Sequence, residues 1–175
     1  MSIGTTQPLS LRRVDFHALY DRHLGRHSQF GLNVNHLIAL TLIWYGVYET
    51  LTQTLRLFGL PPLPFVAVLA GSYLLLVSLN LPSRVIVATA AFLGLFLAGV
   101  LATPQCPAWT IPLFLLLIPI GYKFQTWGHR VWTLAADMTE FNRRFPPGRD
   151  LNRILMTFEV PVCLYYLLFR RQDWR

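Results

Sequence analysis

The chain has 175 residues, 54% of them hydrophobic and only 13% charged, with a mean hydropathy of +0.44. Soluble domains carry about 45–50% apolar and about 25% charged residues, so the composition predicts an integral membrane protein and excludes a disordered or collagenous chain. Two cysteines, Cys106 and Cys163, cannot staple a disulfide scaffold and are expected to be free thiols. The net charge of +7 fits Lys and Arg distributed around apolar spans, and no nucleic-acid partner is expected.

A chain of this length allows one membrane domain over residues 1–175 and little room for a separate soluble enzyme. Residues 1–35 have no apolar stretch beside Arg12 and Arg13, so a cytoplasmic amphipathic segment is expected there and no signal peptide. Within it, Phe16, Tyr20, His23 and His27 recur at helical spacing. Gly25 weakens the last turn, and the run Gly31 to Asn35 reads as a turn with Asn33 or Asn35 as N-cap.

Four segments between 36 and 126 are apolar enough to span: 36–57, 63–81, 84–103 and 109–126, separated by turns at Pro61-Pro62, Pro82 and Pro104 to Pro107. A span needs about 20 mainly apolar residues. The second and third are rich in Gly, Ala and Ser, including Gly71, Gly94 and Gly99, which predicts close packing there. Residues 127–153 should form a cytoplasmic helix and loop. The apolar stretch 154–169 is short and carries Glu159 and Pro161, and reads as a re-entrant segment or a fifth span. The expected fold is an all-α membrane bundle of four spans plus this segment. Basic residues cluster before His36, from Lys123 to Arg153, and after Phe169. The positive-inside rule then puts both termini on the cytoplasmic side.

On that topology the five histidines, His17, His23, His27, His36 and His129, all fall at one face. His23 and His27 are one helical turn apart, a spacing that lets two imidazoles reach one ion. His36 opens the first span and His129 closes the fourth. A metal site of His23, His27, His36 and His129 on the cytoplasmic side becomes geometrically feasible, against the bland alternative of interfacial snorkelling residues. Beyond His129, Asp137 and Glu140 share its helical face and are candidates to complete or support the shell; the alternative is a solvated acidic face. Glu159 within an apolar segment costs roughly 2.5–3.5 kcal/mol on insertion scales and marks a functional site or an internal pair, for example with Arg153. Glu49 is read as structural. No phosphate loop, Cys-x-x-Cys pair, GxSxG elbow or HExxH motif occurs, which leaves non-haem metal chemistry or no catalysis.

His27, Asn33 and His36 before the first span resemble the motif that opens the fungal-type 2-hydroxy fatty acid dioxygenases. Gln125, Gly128 and His129, in the run FQTWGH, are similar to that family's second motif. Pro146-Pro147 with Asp150, followed by an apolar stretch containing Pro161, resembles its C-terminal section. The chain departs from the pattern at Thr133, where the family carries Glu, and in the placement of Asn33, six residues after His27. The resemblance implies a membrane enzyme that uses Fe(II) and O2 to shorten a 2-hydroxy fatty acyl substrate by one carbon, with histidines as iron ligands and Asp137 or Glu140 taking the carboxylate role; Glu159, from its own expected burial, is a further catalytic candidate as an acceptor behind a ligand imidazole. A di-iron lipid hydroxylase or desaturase and a non-enzymatic membrane scaffold are the other readings. The few histidines count against the di-iron class, and a scaffold needs no clustering of His.

Overall fold

A computed structural model describes residues 11–132 and 149–175. Among them the protein is all-α, with six α-helices: α1 Phe16–Leu24, α2 Phe30–Leu57, α3 Pro62–Ser78, α4 Ser83–Ala102, α5 Ile111–Trp132 and α6 Arg149–Phe169. Short 3-10 turns occupy Ala108–Thr110 and Arg171–Asp173. Four helical segments are long and apolar enough to cross a membrane, namely Phe30–Leu57, Ser83–Ala102, Ala108–Trp132 and Leu151–Phe169. Each of the four expected spans is a helix, and the C-terminal stretch expected as a re-entrant segment or fifth span is a further one. The helix expected over 63–81 is only 17 residues long, about 26 Å at 1.5 Å per residue, whereas the C-terminal stretch is one of the four long apolar ones.

α6 runs unbroken through Pro161, the form of a fifth span and not of a re-entrant segment. A proline removes the hydrogen bond to the carbonyl four residues earlier, here that of Thr157. The Tyr73 hydroxyl of α3 donates to this carbonyl at 2.9 Å, so the freed acceptor is satisfied from a neighbouring helix and α6 continues. Around this contact a core of Phe16, Tyr20, Val77, Val85, Phe158, Tyr165 and others joins α1, α3, α4 and α6.

α1 is capped by Asp15, whose carboxylate accepts from the backbone of His17 and Ala18, and it stops at Gly25. The expected turn at 31–35 is instead helical. α2 begins at Phe30 with no side-chain cap, and Asn33 and Asn35 are buried inside it. Both asparagines have tertiary partners that outweigh their preference for caps. The segment before α1 is tied to the α3–α4 turn by Asn80, which accepts from Val14 N and donates to Leu11 O. The C-terminal residue returns to the start of α2, with Phe30 N donating to Arg175 O and Arg175 N to Ser28 O. Residues 28 and 175 therefore lie at the same end of the bundle.

The closest helix pair is α2 with α5, and glycine makes it so. A Cβ on Gly121 would come within 2.7 Å of Ala39 O, and one on Gly46 within 2.6 Å of Phe114 O. A Cβ on Gly128 would fall on the Asn35 side-chain oxygen. By contrast Gly71, Gly94 and Gly99 face open space, so the close packing expected of the middle helices occurs at α2–α5. At the far end of α2, Glu49 is fully buried and accepts from Gln53. Gln53 in turn donates to Pro104 O and accepts from Cys106 N, and Arg56 donates to the carbonyls of Leu101 and Thr103. Glu49 therefore lies in the interior of the bundle. Cys106 and Cys163 are both free.

Candidate metal centre

Three imidazoles from three parts of the chain converge. His36 lies on the second turn of α2, His129 near the end of α5, and His27 in the α1–α2 connection. One nitrogen from each lies within 4.8 Å of the others. The ring centroids form a near-equilateral triangle: His27 to His36 4.7 Å, His27 to His129 5.0 Å and His36 to His129 4.9 Å. All three pairs meet at steep interplanar angles, between 68° and 83°.

The protonation pattern follows from the hydrogen bonds. Glu159 Oε1 is 2.6 Å from His36 Nδ1 and 2.6 Å from Gln125 Nε2. A carboxylate accepts, so both nitrogens donate to one oxygen, and their own 3.0 Å separation is the result of that convergence. With its proton on Nδ1, a neutral His36 presents a bare lone pair at Nε2. That nitrogen is 3.1 Å from His129 Nε2. Such a carboxylate–imidazole pair behind a ligand nitrogen is the arrangement that orients metal-binding histidines.

His27 has both ring nitrogens buried and without a hydrogen-bond partner. Buried polar atoms are seldom left this way, and each unmade bond costs about 1–3 kcal/mol. Burial, followed by the neighbouring His23 and other cationic groups, pushes the His27 imidazole well below its usual proton affinity. It therefore stays neutral, as a metal ligand must be. An ion shared by nitrogens at about 2.0–2.2 Å each has ligand pairs separated by about 3–4 Å, so the 3.1 Å pair already fits and His27 needs only a small approach. Three imidazoles suit iron, copper, nickel or zinc.

His23, expected as a fourth ligand, is not one of the three converging imidazoles. Its ring stacks on His27 at 4.5 Å and 12°, and its Nε2 is 2.6 Å from Asn33 Oδ1. The amide oxygen takes that N–H, and the Asn33 amide donates to the carbonyls of His27 and Gln29. Asn33 thus fixes both the stacking histidine and the loop that carries His27. Burial lowers the His23 pKa to about 4. His17 is exposed and remote from the triangle, against the edge of Tyr165.

Glu159 is held by His36 and Gln125. Asp137 and Glu140 lie outside the described residues, as do Pro146 and Pro147. Sequence reasoning missed Arg22, which is 8% exposed and lines the same cavity as the imidazoles, together with Arg26, Leu19 and Met156. Leu19, Arg22 and Arg26 follow at three- and four-residue spacing, the row beside the one that carries His23. That periodicity was the available signal.

Comparison with protein families, with characterised proteins and with solved structures finds no match for this chain.

Proposed function

We propose that the protein is a membrane-bound Fe(II)-dependent dioxygenase that shortens 2-hydroxy fatty acids by one carbon, with His27, His36 and His129 holding the iron. The observation that carries the reading is the triangle of imidazoles, one of them backed by Glu159, in a bundle of apolar helices. Bound there by three nitrogens, Fe(II) would supply activation of O2 while leaving coordination positions for the hydroxyl and carboxylate of a substrate.

The chain's own contribution is positioning. Glu159 and Gln125 hold the His36 proton on Nδ1 and keep Nε2 available. Asn33 anchors the His27 loop, and the His23 ring covers the outer face of His27 against water. Gly128 lets α5 approach α2 closely enough for His129 to face His36. A cavity of about 180 Å³ opens beside the imidazoles, lined also by Gln125 and Glu159.

The test is elemental analysis of the purified protein in lipid nanodiscs combined with oxygen uptake on 2-hydroxypalmitic acid. Stoichiometric iron and substrate-dependent uptake, both lost in His36→Ala and His129→Ala, support the reading. Full metal occupancy in both variants, or uptake indifferent to the 2-hydroxyl, overturns it.

A further inference from the structure

α5 meets α2 through the side that carries Gly121 and Gly128, and its opposite side is open. On that open side Leu113, Leu116, Ile120, Lys123, Trp127 and Arg130 follow at three- and four-residue spacing, so they form one row along the helix. All six are exposed. The row changes character along its length: three apolar side chains come first, then two cations with an indole between them. No Asp or Glu occurs anywhere in α5.

The cationic end has a shape of its own. Tyr122, Lys123, Thr126, Trp127 and Arg130 line a groove of about 330 Å³. The Trp127 ring is fixed, stacked on Phe124 at 5.6 Å and 18° and meeting Trp132 at 5.5 Å and 81°. Among the described residues neither Lys123 nor Arg130 makes a hydrogen bond, an ion pair or a ring contact. Other cations of the bundle are engaged. Arg84 of α4 donates to the Tyr165 hydroxyl and lies over the rings of Tyr165 and Phe169, Arg56 is held by the carbonyls of Leu101 and Thr103, and Arg170 pairs with Asp173. α3 carries no charged residue.

The geometry points to a binding site for an anionic phospholipid on the outer face of α5, with the headgroup phosphate between Lys123 and Arg130 and the acyl chains along Leu113, Leu116 and Ile120. Seven residues separate the two cations, about 10 Å of helix axis, and both side chains are long and flexible enough to close on one group from either end. Arg offers its fork of donors to a pair of phosphate oxygens, and Lys adds a point charge. An indole where the row turns from apolar to charged suits the level of the headgroups. Net charge then selects the lipid. A phosphatidylcholine carries the same phosphodiester but brings a quaternary ammonium toward the two cations, whereas a phosphatidylglycerol leaves its negative charge for them. The face encloses no single chain, and the two chains of a phospholipid can lie on either side of the row. The site is on the side of α5 away from His36 and needs no metal.

The experiment titrates the full-length protein in detergent with dioleoyl phosphatidylglycerol or dioleoyl phosphatidylcholine and counts the retained lipids by native mass spectrometry. One phosphatidylglycerol should be held roughly 30-fold more tightly than phosphatidylcholine, the product of about 5-fold for each cation beside a headgroup. Lys123→Gln and Arg130→Gln should each weaken its retention roughly 5-fold. Arg171→Gln removes the same charge beside Trp174, outside α5, and should leave retention unchanged. All three side chains are exposed, so the thermal midpoint should stay the same in every variant. Equal retention of the two lipids would mean that Lys123 and Arg130 only snorkel among headgroups, and it overturns the inference. So does an effect of Arg171→Gln as large as that of Arg130→Gln, which would reflect overall charge. Displacement of phosphatidylglycerol by inorganic phosphate at equal concentration would identify a site for the free anion, and displacement by equimolar oleate a site for any anionic chain; either result also overturns it.

Discussion

His36 Nδ1 and Glu159 Oε1 are 2.6 Å apart across 123 residues of chain, and this bond sets which His36 nitrogen carries the proton. Glu159→Gln keeps the shape and removes the charge. The amide oxygen still accepts, but more weakly, and the side chain gains a donor that has to compete with Gln125. Metal affinity should fall roughly 10- to 100-fold with folding retained, the range seen when a ligand histidine loses its carboxylate. Metal titration of the detergent-solubilised protein reads this directly. An affinity equal to that of the unsubstituted protein would leave Glu159 without influence on the site.

Gly128→Ala should be far more damaging than its size suggests. The added methyl falls on the Asn35 side-chain oxygen, so α2 and α5 have to separate, and the 3.1 Å approach of His36 to His129 is lost with them. Gly71→Ala is the control, because nothing lies near its Cβ position. Alanine is better than glycine in a helix interior by roughly 0.5–1 kcal/mol, so Gly71→Ala should be neutral or stabilising and keep its metal. Equal metal content in the two variants would remove the helix approach from the account.

Composition and hydropathy were enough to predict the all-α apolar bundle, and the placement of His36 and His129 at helix ends was enough to bring them together. What remained illegible depended on partners distant in sequence. Pro161 looked like a break because the Tyr73 hydroxyl, 84 residues from Thr157, is invisible to local pattern. Asn33 and Asn35 looked like caps because their tertiary acceptors and donors were unknown. The same limitation misplaced close packing in α3 and α4: composition counts small residues but does not say which of them face another helix. His23 was grouped with His27 by helical spacing, yet α1 ends before His27, and the two rings stack face to face without sharing a centre.

Tyr73→Phe tests the explanation for the unbroken α6. Removing the hydroxyl leaves the Thr157 carbonyl without the donor that replaces the one Pro161 removed. Loss of one buried bond of this kind costs about 1–3 kcal/mol. The thermal midpoint should drop, and hydrogen exchange of amides in α6 around Thr157 should quicken before that of α4. Unchanged exchange in α6 would mean that the helix tolerates the proline without help from α3.

The closure of the chain's end onto α1 and α2 should weaken in acid. Asp173 Oδ2 accepts from Arg170 Nε at 2.7 Å and from the Tyr20 hydroxyl at 2.8 Å, and the Arg170 guanidinium, ahead of Tyr20, holds its carboxyl below the usual value of 3.8. A carboxylate whose folded pKa is depressed contributes stability that is fully present above the unfolded value and is lost as pH falls through the folded one. Docking of residues 170–175 should therefore be constant from neutral pH down to about 4 and loosen below it. Asp173→Asn should show the loosened state throughout, since the amide keeps an acceptor but gives up the ion pair. The readout is hydrogen exchange at Phe30 N and Arg175 N, whose bonds to Arg175 O and Ser28 O close the C-terminus onto the start of α2. Exchange that is equally slow at pH 3 and pH 7, or identical in the Asn variant, would show that Asp173 does not hold the end of the chain in place.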